Sequence, residues 1–251
     1  MAGHSKWSKV KHIKAVVDVR RGKLFSKLAK EITVAARMGG GDPAGNPRLK
    51  AAIAAARAQS MPNDNIDRAI KRGTGEVNDG AALEELTYEG YAPGGVAVLV
   101  EVATDNKNRT AADLRLVFSK NNGNLGSSGS VAYLFKRKGQ ITIPRASIED
   151  DKMLEIALEA GADDVAADDE HHIVSTAHDQ LYSVAEAMKA AGLAADSQKL
   201  TYVPGTTVLL TDEQTASQVL KLCDALEDND DVQHVHANFD IAEDILAKIS
   251  G

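Results

Sequence analysis

The chain has 251 residues, 43% of them hydrophobic and 26% charged, with a single cysteine and a net charge of −7. That length suits one large domain or two to three small ones, and the hydrophobic fraction is ordinary for a folded protein. One cysteine excludes an internal disulfide and any all-cysteine zinc or iron–sulfur site. No apolar run approaches the roughly 20 residues that span a bilayer, and the basic start MAGHSKWSKVKHIK lacks the apolar segment of a signal peptide. The expectation is a cytoplasmic protein without a membrane partner.

The net charge hides a strong asymmetry. Residues 1–80 hold 16 Lys and Arg against 7 Asp and Glu, a net +9, whereas residues 141–251 hold 6 against 23, a net −17. A basic end points to a polyanionic partner, and nucleic acid fits best because each neutralised phosphate releases counterions. Two solvated domains of different composition are the plainer alternative.

In chain order, a basic arm comes first. Lys6, Lys9, Lys11 and Lys14 surround Trp7 and His12. Lysines suit phosphates and Trp can stack on an unpaired base, although Trp7 packed onto a neighbouring helix accounts for the pattern equally well. Residues 23–38 read as a helix: Leu24, Leu28, Ile32 and Ala35 share one face, and Lys23, Lys27, Lys30 and Arg37 the opposite one. Asn46 and Pro47 are an N-cap and first-turn pair that opens a second helix. A third runs from about Pro62 to Arg72 with Gly73 as its stop. Arg20, Arg21, Arg48, Arg57, Arg68, Lys71 and Arg72 add to the basic character of this three-helix bundle.

Beyond it, strands and helices alternate. Residues 87–91 and 95–103 read as strands, 107–121 as a helix, and 130–138 and QITIPR as two further strands. Ser147 and Asp150 resemble a capping box for a helix to about Ala160. Strands at 164–167 and 172–175, a helix at 180–191 and a strand ending at Pro204 follow. Residues 140–203 are then βαββαβ, the ferredoxin-like order. The flanking elements, completed by strands at 206–211 and 232–238 around a helix at 213–227, give the same order again, and a last helix at 241–249 closes the chain. The fold class expected is therefore α+β and multidomain: an N-terminal three-helix bundle over 1–78, a discontinuous ferredoxin-like unit over 79–138 plus 205–251, and a second such unit over 139–204 inserted into it.

Several constellations bear on chemistry. TDNKNRT, residues 104–110, joins a strand to a helix, with Asp105 and Asn106 as candidate caps. Arg109 sits in the first helical turn, where the helix dipole disfavours a cation. It is held either for an outside phosphate or carboxylate, or by a neighbouring acid. GNLGSSGS, residues 123–130, could form an anion-binding nest of backbone N–H groups but lacks the lysine and spacing of a P-loop, and a flexible loop is the preferred reading. DDEHH at 168–172 bundles metal-ligand types yet also reads as a polar hairpin turn, and His234 and His236 share a strand face. Neither is assigned a metal. No catalytic arrangement and no cofactor are assigned.

GHSKWSKVKHIK, RRGKLFSKL, GGGDPAGNPRLKAAI, MPNDNIDRAIKRGTG, YEGYAPGGVAVLVE, TDNKNRT and GNLGSSGSVAYLF together resemble the YebC/PmpR family over essentially the whole chain. The chain departs from the family at Ile13, where a basic residue is frequent, and at Ala92, where glycine is usual. The resemblance implies a helical domain followed by two α/β domains and no enzymatic activity. Its bacterial members are usually described as DNA-binding transcriptional regulators, a mitochondrial relative is a translational activator of cytochrome c oxidase, and bacterial members have also been placed at the ribosome.

The expected function is thus a nucleic-acid-binding regulator of gene expression, with DNA first and ribosomal RNA, through ribosome association, second. The residues expected at phosphates or bases are Lys6, Trp7, Lys9, Lys11, His12, Lys14, Arg20, Arg21, Lys23, Lys27, Lys30, Arg48 and Arg109. A metal-dependent enzyme using the 168–172 cluster is the reading from another class.

Overall fold

The computed structural model describes residues 17–77 and 82–250, with side chains from residue 22 to residue 249. Contacts divide the chain into two compact units: Phe135–Val203, and a host made of the segments before and after it.

The host begins with three helices: α1 (Val17–Gly39), α2 (Pro47–Ala58) and α3 (Asn63–Thr74). Asn46 caps α2 as expected, its side chain accepting from the Leu49 N–H at 3.1 Å with Pro47 in the first turn. Gly73 does not stop α3. The helix runs through it to a left-handed cap at Gly75 (φ 80°). Gly73 instead allows close helix packing, since a Cβ there would lie 2.4 Å from the Thr33 carbonyl of α1. Ile32, Ala35, Leu49, Ile53, Ala56 and Ile66 form the bundle core.

The host sheet follows. β1 (Glu84–Ala92) and β2 (Val96–Thr104) form an antiparallel hairpin across Pro93–Gly95, and β9 (Val232–Ala237) pairs with the other edge of β2. The short β3 (Asn124–Leu125) flanks β1, so the order is β3-β1-β2-β9. α4 (Lys107–Lys120) and α7 (Glu213–Glu227) cover one face, burying Val98, Val100, Leu114, Phe118, Leu222 and Leu226 in one core that also holds Cys223. On the opposite face Ala103 packs with Leu83 and with Val34 of α1. β8 (Val208–Leu210) and β10 (Phe239–Ile241) make a separate parallel pair, and α8 (Glu243–Ser250) ends the described chain.

The inserted unit is β4 (Phe135–Pro144), α5 (Asp150–Glu159), β5 (Asp164–Ala167), β6 (His171–Ala177), α6 (Leu181–Ala190) and β7 (Ser197–Pro204), in sheet order β5-β6-β4-β7. This is the ferredoxin-like arrangement, with Ile141, Ile143, Met153, Val174, Leu181 and Met188 in its core.

The α+β, multidomain class stands, and several local expectations change. The strand expected at 130–138 does not form in the host: residues 132–134 are a single 3₁₀ turn, and 135–144 is one continuous strand of the inserted sheet. Beside β2, the place expected for the strand at 206–211 is taken by the hairpin partner β1, longer than the expected 87–91, while 208–210 pairs with β10 apart from this sheet, so the host sheet does not have the ferredoxin-like order. Ser147 does not cap α5. Its hydroxyl donates to the Pro144 carbonyl at 2.6 Å, and Glu149 precedes the helix without a side-chain cap.

Candidate nucleic-acid interface

Lys23, Lys27 and Lys30 project at i, i+4 and i+7 from one side of α1. The structure brings all three to the C-terminal end of α7 and the turn that follows it. Lys23 Nζ donates to the Asp228 carbonyl at 3.1 Å, Lys27 Nζ to the Glu227 carbonyl at 2.6 Å, and Lys30 Nζ to the Asp230 carbonyl at 2.8 Å. The last carbonyls of a helix lack intrahelical partners and carry partial negative charge, so cations are favoured there. The basic stripe thus docks the bundle on the α/β part of the host.

Asp231 is the centre of this contact. Its Oδ1 accepts from Lys30 at 2.7 Å, and its Oδ2 lies 2.9 Å from an Arg109 Nη and 2.7 Å from Thr110 Oγ1. Thr104 Oγ1 adds a contact at 3.2 Å. The TDNKNRT segment thereby converges on one buried carboxylate. Burial alone would raise its pKa, but the bonds from Lys30, Arg109 and Thr110 outweigh that and hold it at about 2. Asn106 is the cap of α4, accepting from the Arg109 N–H at 3.0 Å. Of the two readings of Arg109, the neighbouring acid is the one present: Asp231 and, at 2.9 Å, Asp105 both engage its guanidinium, raising its pKa further.

Arg48 on α2 makes the second tie. It bonds Glu31 of α1 through Nε at 2.8 Å and Nη2 at 3.0 Å, and Glu85 of β1 through both Nη atoms. Burial works against its charge, yet the two carboxylates more than compensate and push its pKa above the usual range. Arg37 donates to the Leu83 carbonyl at 2.7 Å.

These ties are unequal. Lys23 and Asp228 are 39% and 73% exposed, so Lys23→Ala should change stability by no more than about 0.5 kcal/mol. Lys30 and Asp231 are 20% and 8% exposed. Lys30→Ala should cost about 1–2 kcal/mol, because it removes a bond from a carboxylate that stays buried. Parallel urea titrations of the two variants check the ordering.

Of the residues expected at nucleic acid, Lys23, Lys27, Lys30, Arg48 and Arg109 therefore bind groups of the chain itself. Lys6, Trp7, Lys9, Lys11, His12 and Lys14 lie outside the described residues, as do the side chains of Arg20 and Arg21, although both belong to α1. On the bundle, Arg57 of α2 and Arg68 and Lys71 of α3 are exposed.

The remaining constellations have structural partners. The end of GNLGSSGS is not a flexible loop: the N–H group of Gly129 (2.6 Å) and those of Val131 (2.7 Å) and Ala132 (2.7 Å) just beyond it converge on an anion, the buried Glu89 carboxylate. Sequence reading did not single out Glu89, whose only signal is an acid on a strand beside a glycine-rich loop. Residues 168–171 are the polar hairpin turn, with Asp168 Oδ1 accepting from the N–H groups of Glu170 and His171. His172 Nε2 lies 3.1 Å from the Ile148 carbonyl. His236 Nε2 lies 2.7 Å from Glu101. Among the described residues no group of three or more His, Cys, Asp or Glu is placed to hold a metal, and no helix is long and apolar enough to cross a membrane.

Comparison with known proteins places this architecture. Residues 5–76 match the model of the TACO1/YebC protein N-terminal domain, and residues 83–239 that of the TACO1/YebC second and third domain. The chain is 53% identical to a probable transcriptional regulatory protein of Syntrophobacter fumaroxidans and 54% identical to one of Sulfurihydrogenibium sp., each over 100% of both chains. A crystal structure of a conserved hypothetical protein from Aquifex aeolicus superposes with a TM-score of 0.85 at 52% identity, covering 92% of this chain and 94% of that one.

Proposed function

The chain belongs to the TACO1/YebC family, and from that premise we propose that it is a cytoplasmic, non-enzymatic regulator of gene expression that binds nucleic acid through its basic N-terminal segment. The observation that carries this reading is the charge distribution: a net +9 in residues 1–80 of a chain that is −7 overall. The names of the relatives favour transcriptional regulation and hence DNA as the first target.

The docking geometry supports a narrower set of phosphate-contacting residues. Lys23, Lys27, Lys30, Arg48 and Arg109 already serve carboxylates and carbonyls of the chain. Phosphate contact then falls to Lys6, Lys9, Lys11, Lys14, Arg20 and Arg21, with Arg57, Arg68 and Lys71 among the exposed cations of the bundle. Trp7 and His12 accompany the arm.

One observation favours RNA as a second reading. Three of the exposed positions of α2 are Ala54, Ala55 and Ala58, beside Lys50 and Arg57, and the alanines offer base edges no hydrogen bonds. A major-groove reading helix would carry Asn, Gln or Arg there. Contact to phosphates alone suits a target recognised by its shape, such as ribosomal RNA.

The test is a salt series of binding to duplex DNA, to structured RNA and to ribosomal particles. Affinity should fall steeply with salt. Lys9→Glu with Lys11→Glu should flatten the log–log slope by about 0.9 per lost contact on duplex DNA. A slope that the double variant leaves unchanged would refute the assignment to the arm. Tighter binding to ribosomal particles than to DNA at physiological salt would select the translational reading.

A further inference from the structure

The loop at residues 126–133 is built far more firmly than a connection between two elements requires. Its backbone is anchored by the Glu89 carboxylate at three N–H groups, and the Gly126 N–H donates to the Glu89 carbonyl at 2.8 Å. Tyr91 Oη donates to the Ser130 carbonyl at 2.8 Å. Three glycines make the close approach possible. A Cβ at Gly90 would meet the Asn124 carbonyl at 2.7 Å, one at Gly123 the Tyr91 carbonyl at 2.8 Å, and one at Gly126 the Ser130 hydroxyl at 2.6 Å.

What this rigid loop displays is unusual. Ser127, Ser128 and Gly129 are exposed and small. Tyr133, on the 3₁₀ turn that ends the loop, is 75% exposed, and Tyr91 beside the loop is 38% exposed. The surrounding sequence repels no anion: residues 114–148 contain six Lys and Arg and no Asp or Glu, in a chain with 36 acids. The nearest acid from β1, Glu89, is buried beneath the loop with its charge taken up by backbone amides.

We propose that the 126–133 loop is a second nucleic-acid contact, at which Tyr133 stacks on an unpaired base and the small, polar loop admits the adjoining backbone. An exposed aromatic ring on a firmly held backbone, in a stretch of sequence without acids, suits the binding of single strands without reading sequence. A locked loop also loses little conformational freedom on binding. The inference rests on the nucleic-acid reading above and specifies an unpaired segment within the target, from either RNA or DNA.

The experiment uses the full-length chain, fluorescein-labelled oligouridylate and oligothymidylate, and a mixed-sequence DNA duplex as control. Tyr133→Ala should weaken binding to the single strands about tenfold with an unchanged salt slope, because stacking releases no counterions. Binding to the duplex should not move, and Tyr133→Trp should retain wild-type affinity. Glu89→Gln, checked for folding by circular dichroism, should weaken single-strand binding in the same direction by freeing the loop. Wild-type affinity of Tyr133→Ala for both single strands would overturn the proposal, as would an equal loss on the duplex. Failure of the wild-type chain to bind any of the three probes would instead overturn the nucleic-acid function itself. The single strand that binds more tightly identifies whether the base comes from RNA or DNA.

Discussion

Asp231→Ala is expected to lower the melting temperature of the host unit by about 10 °C. The substitution leaves Lys30, Arg109, Thr104 and Thr110 around a vacated, largely buried position. Removing one partner of a buried ion pair costs about 3–5 kcal/mol, and in a chain of this size each kcal/mol shifts the midpoint by about 2–4 °C. The same carboxylate sets an acid limb. At neutral pH it is ionised folded and unfolded alike. As the pH falls, the unfolded chain takes up its proton near the ordinary 3.8, whereas the folded one resists until about 2. Asp231 thus contributes about 2 kcal/mol above pH 4, and this is lost as the pH falls from about 4 through 2. Scanning calorimetry between pH 2 and 6 should give a steeper loss for the wild type than for Asp231→Asn, whose side chain cannot titrate. Parallel curves would remove Asp231 from its central role.

Phe118→Ala should be the most damaging single truncation in the host, at about 3–5 kcal/mol. The ring is completely buried between α4 and the sheet. It lies so close to β1 and the loop after α4 that Cβ atoms at Gly90 and Gly123 would sit 2.7 and 3.0 Å from its atoms. No side chain at either glycine can move in to fill the space, so the void persists. Denaturant unfolding measures the loss. Hydrogen exchange should show that the amides of Gly129, Val131 and Ala132 lose protection earlier than those of the inserted unit, because the ring underlies the strand that carries Glu89.

Much of this fold is legible in the sequence where local chemistry decides the outcome. Asn46–Pro47 announces the start of α2, because an N-cap and a first-turn proline act within a few residues. The βαββαβ order of the inserted unit follows from alternating strand and helix periodicities. Gly73 and Gly75 show where such reading stops. Both look like helix terminators, and only the proximity of Thr33 in space distinguishes the one that permits packing from the one that turns the chain. Residues 130–138 mislead for a similar reason: Tyr133 and Leu134 share the strand-forming character of their neighbours, and the turn at 132–134 is imposed by amides drawn to Glu89, 40 or more residues earlier. The basic face of α1 was legible as a face. Its partners were not, since Glu227, Asp228, Asp230 and Asp231 lie some 200 residues away. A stripe of lysines carries no mark that tells a phosphate from the end of a helix.

The pairing of β9 with β2 also dictates an order of events during synthesis. VAVLVEVAT, residues 96–104, is almost wholly buried in the finished sheet, yet one of its two edges is closed by residues 232–237, which leave the ribosome only after the entire inserted unit. At about 5–20 residues per second, that separation amounts to roughly ten seconds. For that interval the nascent chain carries an uncapped, strongly apolar strand, the kind of edge on which polypeptides aggregate, while Phe135–Val203 can already fold. Overproduction yield should therefore respond to chaperones and to growth temperature through this one strand, and Glu101→Gln, at the single partly exposed position in its middle, removes the one charge that the strand carries and would test how much protection that charge provides.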